Sequence, residues 1–458
     1  MLGSQSVLRR SKKHVTDPPI RVVDPAQPVA ASVEDISRAI PLAPVRGVLA
    51  DINLTGALDV SSNCGGQILT SGGPLADPAV ISIDWESRTA WVAAGATLAA
   101  ISDDLLNAGW SLENLGGPSR ITAAGALSLG ISGPFGTRSG SIDALPNKIQ
   151  FVDGRGERRQ VVKKGTDVSN LLAVVGALGL TGIPTAAQVA IRPVSSGWML
   201  VDSRRCETFE AVCQALEAPS PESYAYARID PTGFGSQAGR GTVVVGRHAK
   251  VLELPAIRRP DALTYVAHAP NKAVATLPLK VGSHSGARAV QGLAHRTTAP
   301  LRRDQLVPLA SFFHSTADAR IESKRATGSL TYEFAVPTHK ADVIGEFLSR
   351  LAQLGGVGDH ATLQRCVRSV SGPLSMTVTG WLFSIELASD VPGLGRMLDE
   401  WDERVCAVGG QVLLATDARI RPEMLAAMYP GLSRWEGLRD ELDPGRHFCS
   451  DLSRRLKL

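Results

Sequence analysis

The run Leu115-Gly-Gly-Pro-Ser-Arg-Ile-Thr-Ala-Ala-Gly-Ala-Leu-Ser-Leu-Gly-Ile-Ser-Gly-Pro-Phe-Gly-Thr-Arg-Ser-Gly140 holds seven glycines between Gly116 and Gly140 and few bulky or charged side chains. Glycine lets a backbone take positive φ and bring its N–H groups close to a phosphate or a flat ring. A flexible linker of this length would be polar throughout. Here Ile121, Ala124, Ala126, Leu127, Leu129 and Ile131 interleave with the glycines. The stretch therefore reads as an ordered ligand loop with a buried side.

Upstream, 80–84 and 90–94 read as short strands around a turn, and 97–109 as a helix with Leu98, Ile101, Leu105 and Ala108 on one face. Downstream, 149–162 reads as a hairpin turning at Asp153-Gly154 and Arg155-Gly156, and 167–175 as a second helix. A second glycine element comes next, Gly176-Ala-Leu-Gly179-Leu-Thr-Gly182-Ile183, leading into a strand at 188–193. Its spacing is not G-x-G-x-x-G and no strand feeds it directly, so a nicotinamide site is disfavoured. The residues alone fit a helix C-cap with a tight turn equally well.

These motifs carry a resemblance. Leu115-Gly-Gly117, Thr122-x-x-Gly125-Ala126, Ile131-Ser-Gly133 and Gly140-Ser141, with Gly176, Gly179, Gly182 and Ile183 further along, resemble the flavin-binding core of the vanillyl-alcohol-oxidase type of flavoprotein. Within that type it resembles the branch of sugar oxidases serving actinobacterial arabinan synthesis. It extends over about residues 33–458 and includes the terminal block Asp417-Ala-Arg419, Ala427-Met-Tyr-Pro430, Trp435, Asp443-Pro444, Phe448, Ser450-Asp451 and Arg454-Arg-Leu456.

The resemblance implies an α+β fold: a two-part PCMH-type FAD-binding domain, an inserted α+β cap for the substrate, and a C-terminal tail returning to the FAD domain. The expected divisions are 1–31 extended, 32–195 FAD-binding, 196–410 cap and 411–458 tail. The implied cofactor contacts are Gly117, Thr122, Gly125, Ser132, Gly133, Gly140, Ser141, Gly176, Gly179, Gly182 and Ile183. The implied chemistry is oxidation of a secondary hydroxyl of a sugar, or of a sugar linked to polyprenyl phosphate, by hydride transfer to FAD. A companion reductase is the implied protein partner.

Several positions depart from the family pattern. Asp51-Ile-Asn-Leu-Thr-Gly-Ala-Leu-Asp59 stands where an Arg-Gly-rich loop wraps the cofactor diphosphate, so two cations are lost and an acid is gained. Ser132 replaces the histidine that many relatives bond to flavin, so FAD here is expected to be noncovalent and held more weakly. Thr416, Ser384 and Glu333 replace a lysine, a cysteine and a glutamine, and a further family lysine falls at or near Gln364. Glu333 and His314 are the catalytic candidates, each of which also reads as ordinary: a carboxylate facing solvent or paired, and a satisfied core histidine. Arg365 and Arg368 are candidates for a substrate phosphate. Two alternatives to the oxidase remain open in the sequence: a catalytically silent relative acting as a binding partner, and a small-molecule binder using the old cofactor cleft.

Composition limits the rest. The chain has 458 residues and a net charge of +4 from 48 basic and 44 acidic residues, with aromatics at 5%. That length suggests two or three domains, and the weak, dispersed charge argues against nucleic acid. Cys64, Cys206, Cys213, Cys366, Cys406 and Cys449 form no C-x-x-C pair, so neither a metal site nor a disulfide framework is expected. Arg9, Arg10, Lys12 and Lys13 precede no apolar run, which predicts no signal peptide and no transmembrane segment. A cytoplasmic location is expected, with peripheral contact at an acidic membrane as the lesser reading. Residues 254–310 read as loop-rich, and the four histidines from His248 to His295 as surface or loop residues.

Overall fold

Short runs of β-branched, alanine and aromatic residues, cut by turn residues, build the first layer. The computed structural model describes residues 45–47, 67–69, 78–113, 116–131, 146–163, 171–217, 223–233, 235–268, 295–322, 329–354, 358–367, 373–417 and 419–458. Strands β1 (Val45–Gly47) and β2 (Gln67–Leu69) pair in parallel. The first large sheet contains β3 (Val80–Asp84), β4 (Thr89–Ala93), β5 (Trp110–Leu112), β6 (Lys148–Val152), β7 (Arg158–Val162) and β8 (Ile183–Pro193). Its order is β3-β4-β8-β6-β7, with β5 on the far end of β8, and its pairings are antiparallel.

Helix α1 (Leu98–Asn107) begins where Thr97 accepts a hydrogen bond from the Ala100 N–H, and it buries Leu98, Ile101, Leu105 and Leu106. Helix α2 (Ala123–Leu129) is buried along its whole length and ends at Gly130, whose φ of 61° forms a left-handed C-cap. The hairpin expected at 149–162 is β6–β7. The helix expected over 167–175 gives way to a single 3-10 turn, Leu171–Ala173, and residues 167–170 lie outside the described residues. Positive φ at Gly176, Leu178 and Gly179 takes the chain off the helical path just beyond that turn.

The second sheet is larger. It comprises β9 (Trp198–Cys206), β10 (Tyr224–Ile229), β11 (Gly241–His248), β12 (Leu301–Pro308), β13 (Ser329–Pro337), β14 (Gly358–Cys366), β15 (Gly380–Ala388) and β16 (Gln411–Val412). The order is β12-β9-β11-β10-β14-β15-β13-β16, antiparallel throughout. Helices α3 (Phe209–Glu217), α4 (Leu309–Glu322), α5 (Asp342–Gln353) and α6 (Leu394–Ala407) connect these strands. The chain closes with α7 (Pro422–Met428), α8 (Leu432–Leu442) and α9 (Asp451–Leu456).

Strand alternation gives the second sheet two distinct faces. Phe334 of β13 and Phe383 of β15 meet Phe347 of α5 with ring centroids 5.6 and 5.8 Å away. Each is almost fully buried and contributes roughly 2–3 kcal/mol by leaving water. The opposite face carries α4: the Phe312 ring stands 5.7 Å from Tyr226 of β10, and a Cβ at Gly246 of β11 would lie 2.5 Å from Phe312 Cε2. Thr338 opens a 3-10 turn ahead of α5, and its carbonyl accepts from Trp381 Nε1 at 3.1 Å. The β6–β7 turn is joined to the end of α8, where the Gly154 N–H donates to the Leu442 carbonyl at 2.8 Å.

Candidate functional site

The glycine loop is held from several sides. Gly117 has φ of 83°, and a Cβ there would lie 2.7 Å from Ile131 Cγ2, so the loop entering and the chain leaving α2 touch at this glycine. Thr122 Oγ1 accepts from the Gly125 N–H at 3.0 Å. The Ala123 and Ala124 N–H groups donate to the carbonyls of Ala96 and Ala94. These first-turn donors are thus satisfied by the protein, so Thr122 and Gly125 offer a ligand shape and close approach rather than free N–H groups.

The second glycine element lies against the same helix. Gly176 and Leu178 donate their N–H groups to the Leu127 and Ser128 carbonyls at 2.9 and 2.8 Å. A leucine at positive φ is strained, and such positions persist where the surroundings hold them. Gly179 shares the positive φ. Gly182 is small for Phe151, whose ring would be 2.5 Å from a Cβ, and Ile183 starts β8 in a buried position. Ser132, Gly133, Gly140 and Ser141 lie outside the described residues, as does the loop from Asp51 to Asp59.

Helix α4 ties the two sheets together at this loop. His314 is completely buried, and its Nδ1 lies 2.9 Å from the Gly117 carbonyl oxygen. A carbonyl only accepts, so Nδ1 carries the proton. One turn further on, Asp318 Oδ1 accepts from the Ser119 N–H at 2.8 Å. His314 Nε2 is buried without a hydrogen-bond partner among the described residues. Burial pushes the His314 pKa down, against weaker upward pulls from the Gly117 carbonyl and Asp318. The ring is therefore neutral, with a lone pair at Nε2.

On the α4 side of the second sheet, three of the departures from the family pattern come together. Glu333 is registered opposite Ser384, and Thr416 Oγ1 lies 3.5 Å from Glu333 Oε2. The Leu413 N–H donates to the Glu333 carbonyl at 2.8 Å, which brings the Thr416 segment alongside β13. Ser384 Oγ is buried with no partner among the described residues. Gln364 is registered opposite Leu382 on this same face. Arg365 is not: its guanidinium lies 4.7 Å from the Trp381 ring centroid on the opposite face and 3.8 Å from Glu217. It is therefore removed from the Glu333 face, and Arg368 lies outside the described residues.

Sequence reasoning missed Arg228, which shares the Glu333 face and is registered opposite Thr362. The only signal available was its period-2 spacing from Tyr224 and Tyr226, which puts all three on one face of the strand. The histidines expected at the surface are also more enclosed than supposed. His295 is buried, and both His248 ring nitrogens are buried without partners among the described residues, with its pKa pushed down to about 3 by burial and then by Arg192. His268 is half-buried, and His284 lies outside the described residues. Among the described residues, no cluster of His, Cys, Asp and Glu is arranged to hold a metal ion, and no helix is long and apolar enough to cross a membrane.

The described part of the loop fits a flavin. It is glycine-crowded and apolar from Ile121 to Ile131, and it presents buried Ser128 Oγ and, from α4, His314 Nε2 without partners among the described residues. Native proteins leave few such atoms unpaired, and a bound ligand is one usual partner. Comparison with known proteins agrees. Residues 30–161 match the family model described as an FAD binding domain. An uncharacterized protein in the mprA 5' region of Streptomyces coelicolor is 34% identical over 371 residues, spanning 79% of this chain and 100% of that protein. Decaprenylphosphoryl-beta-D-ribose oxidase of Mycolicibacterium smegmatis is 28% identical over 387 residues, 82% of each chain. The chain belongs to the PCMH-type FAD-binding flavoproteins, with FAD as cofactor and oxidoreductases as its kin, and is a diverged relative of that oxidase.

Proposed function

We propose that the protein oxidises a secondary hydroxyl of a sugar or sugar phosphate, with residues 32–195 holding FAD, 196–410 forming the substrate cap and 411–458 returning to the FAD domain. The observation that carries this reading is the meeting of Glu333, Ser384 and Thr416 on the sheet face that α4 links to the Gly117 loop. Bound FAD supplies the two-electron acceptor for the hydride leaving the carbinol carbon.

The chain's own task is to take the hydroxyl proton as the C–O bond becomes C=O. Glu333 is the base in this reading, because it brings a carboxylate to the place where the relative of known activity is expected to carry a glutamine. Thr416 and Ser384 supply hydroxyls beside it that can orient either the carboxylate or the substrate oxygen. Ser132 in place of histidine supports noncovalent FAD, and the likeness to a polyprenyl-phosphate sugar oxidase supports a substrate of that kind and a peripheral position at a membrane. The silent-relative reading is not favoured, since the FAD-domain match spans residues 30–161.

The test is an absorbance spectrum of the purified protein before and after incubation with FAD and removal of the excess, and then anaerobic addition of candidate sugars. A yellow protein with about one FAD per chain that bleaches with a sugar is the expected result. A protein that stays colourless after incubation with FAD overturns the oxidase.

A further inference from the structure

We propose that Arg228 is the anion-recognition residue of the Glu333 sheet face, binding a phosphate or carboxylate group on the substrate whose hydroxyl lies at Glu333. The hydroxyl end rests on the oxidase reading above; the anion end stands on separate observations. Register places Thr242, Arg228, Thr362, Ser384 and Glu333 in one row across β11, β10, β14, β15 and β13. Three interstrand steps at about 4.8 Å put the Arg228 and Glu333 Cα atoms roughly 14 Å apart on one face. A small substrate lying along the row reaches both side chains.

The guanidinium is prepared for an anion. Its Nη2 donates to Tyr226 Oη at 3.1 Å, and the buried Tyr226 ring is fixed edge-on by Phe312, so the orientation is set while most of its five N–H donors stay unused among the described residues. The side chain is exposed, so an anion in solution can reach it. Among the described residues no carboxylate pairs with it. Elsewhere Arg240, Arg419 and Arg455 each hold an aspartate at 2.7 to 2.9 Å. An exposed guanidinium held in orientation by Tyr226 and with no carboxylate beside it among the described residues is open to an anion, and its planar fork suits phosphate or carboxylate. Glu333 at the other end of the row repels the same anion, which fixes the direction in which the substrate lies.

The experiment is calorimetric titration of the purified protein, with whatever flavin it carries, using ribose 5-phosphate, ribonate and uncharged ribose. At least one anion should bind with 1:1 stoichiometry and at least tenfold more tightly than ribose; which one does so distinguishes a phosphate site from a carboxylate site. Arg228→Gln should lose that preference, Arg228→Lys should keep part of it, and Glu333→Gln should bind the anion as well or better. The proposal is overturned if neither anion saturates the wild-type protein, if ribose binds equally, or if a folded Arg228→Gln protein binds as the wild type does. A colourless protein would sink the oxidase reading while the titration still judged Arg228. A flavoprotein that oxidised charged and uncharged sugars alike would sink Arg228 alone.

Discussion

At the scale of single residues, Glu333 and Gly117 make opposite kinds of demand. Glu333→Gln keeps the shape of the side chain and removes the base. If the carboxylate takes the proton, kcat should fall about 100- to 10,000-fold, with FAD content and melting temperature unchanged. Measured turnover within a few-fold of wild type would remove Glu333 from the chemistry. Gly117→Ala tests shape instead. The added methyl meets Ile131 Cγ2 and the backbone must hold positive φ, so a loss of about 1–3 kcal/mol is expected by urea unfolding. Ile131→Ala added to Gly117→Ala should relieve the contact but not the backbone strain, and full recovery would show that φ carries no cost. The glycine and Glu333 were both visible in the sequence. Arg228 was not, because nothing in a sequence says which arginine lacks a carboxylate once the strands are registered.

At the scale of elements, α1 and α4 mark a success and a failure of sequence reading. Helix α1 was legible because one face meets the core and the other meets water. Helix α4 lies between the second sheet and the Gly117 loop, so Phe312 faces Tyr226 while His314 and Asp318 reach the loop. Its apolar residues therefore follow no single stripe. The residues from 254 to 310 read as loop, yet β12 lies there as an edge strand with Leu301 to Asp304 exposed. An exposed edge has no buried side to print an alternation. Because α4 is the link, His314→Leu should lose its bond to Gly117 while keeping bulk. Expected are a cost of about 1–2 kcal/mol and faster loss of FAD on dialysis. Asp318→Asn retains an oxygen for the Ser119 N–H and should be nearly silent, whereas Asp318→Ala should behave like His314→Leu. Equal behaviour of the two Asp318 variants would remove that hydrogen bond from the account.

At the scale of the whole molecule, the family match and the two antiparallel sheets agree with the α+β fold that the resemblance implied. The segment from Asp51 to Asp59, which stands where the family pattern has its diphosphate loop, lies outside the described residues. Folding also encloses imidazoles that sequence reading left at the surface, and this couples stability to acid. His248 in the folded protein takes its proton only near pH 3, while the unfolded chain takes it near pH 6.5. Between those values the unfolded state binds more protons, so stability rises with pH across the window and is lost as pH falls below about 6.5. His314, also lowered by burial, acts in the same direction. One such group costs about 1.4 kcal/mol for each pH unit below 6.5. Urea unfolding at pH 7.5 and 5.5 measures it. His248→Phe keeps a ring against Tyr224 and removes the titration, so it should lose about 1 kcal/mol less than wild type between the two pH values. A variant that loses as much as wild type would mean that His248 is hydrated and titrates normally, and that the interface around Tyr224 opens more readily than its packing suggests.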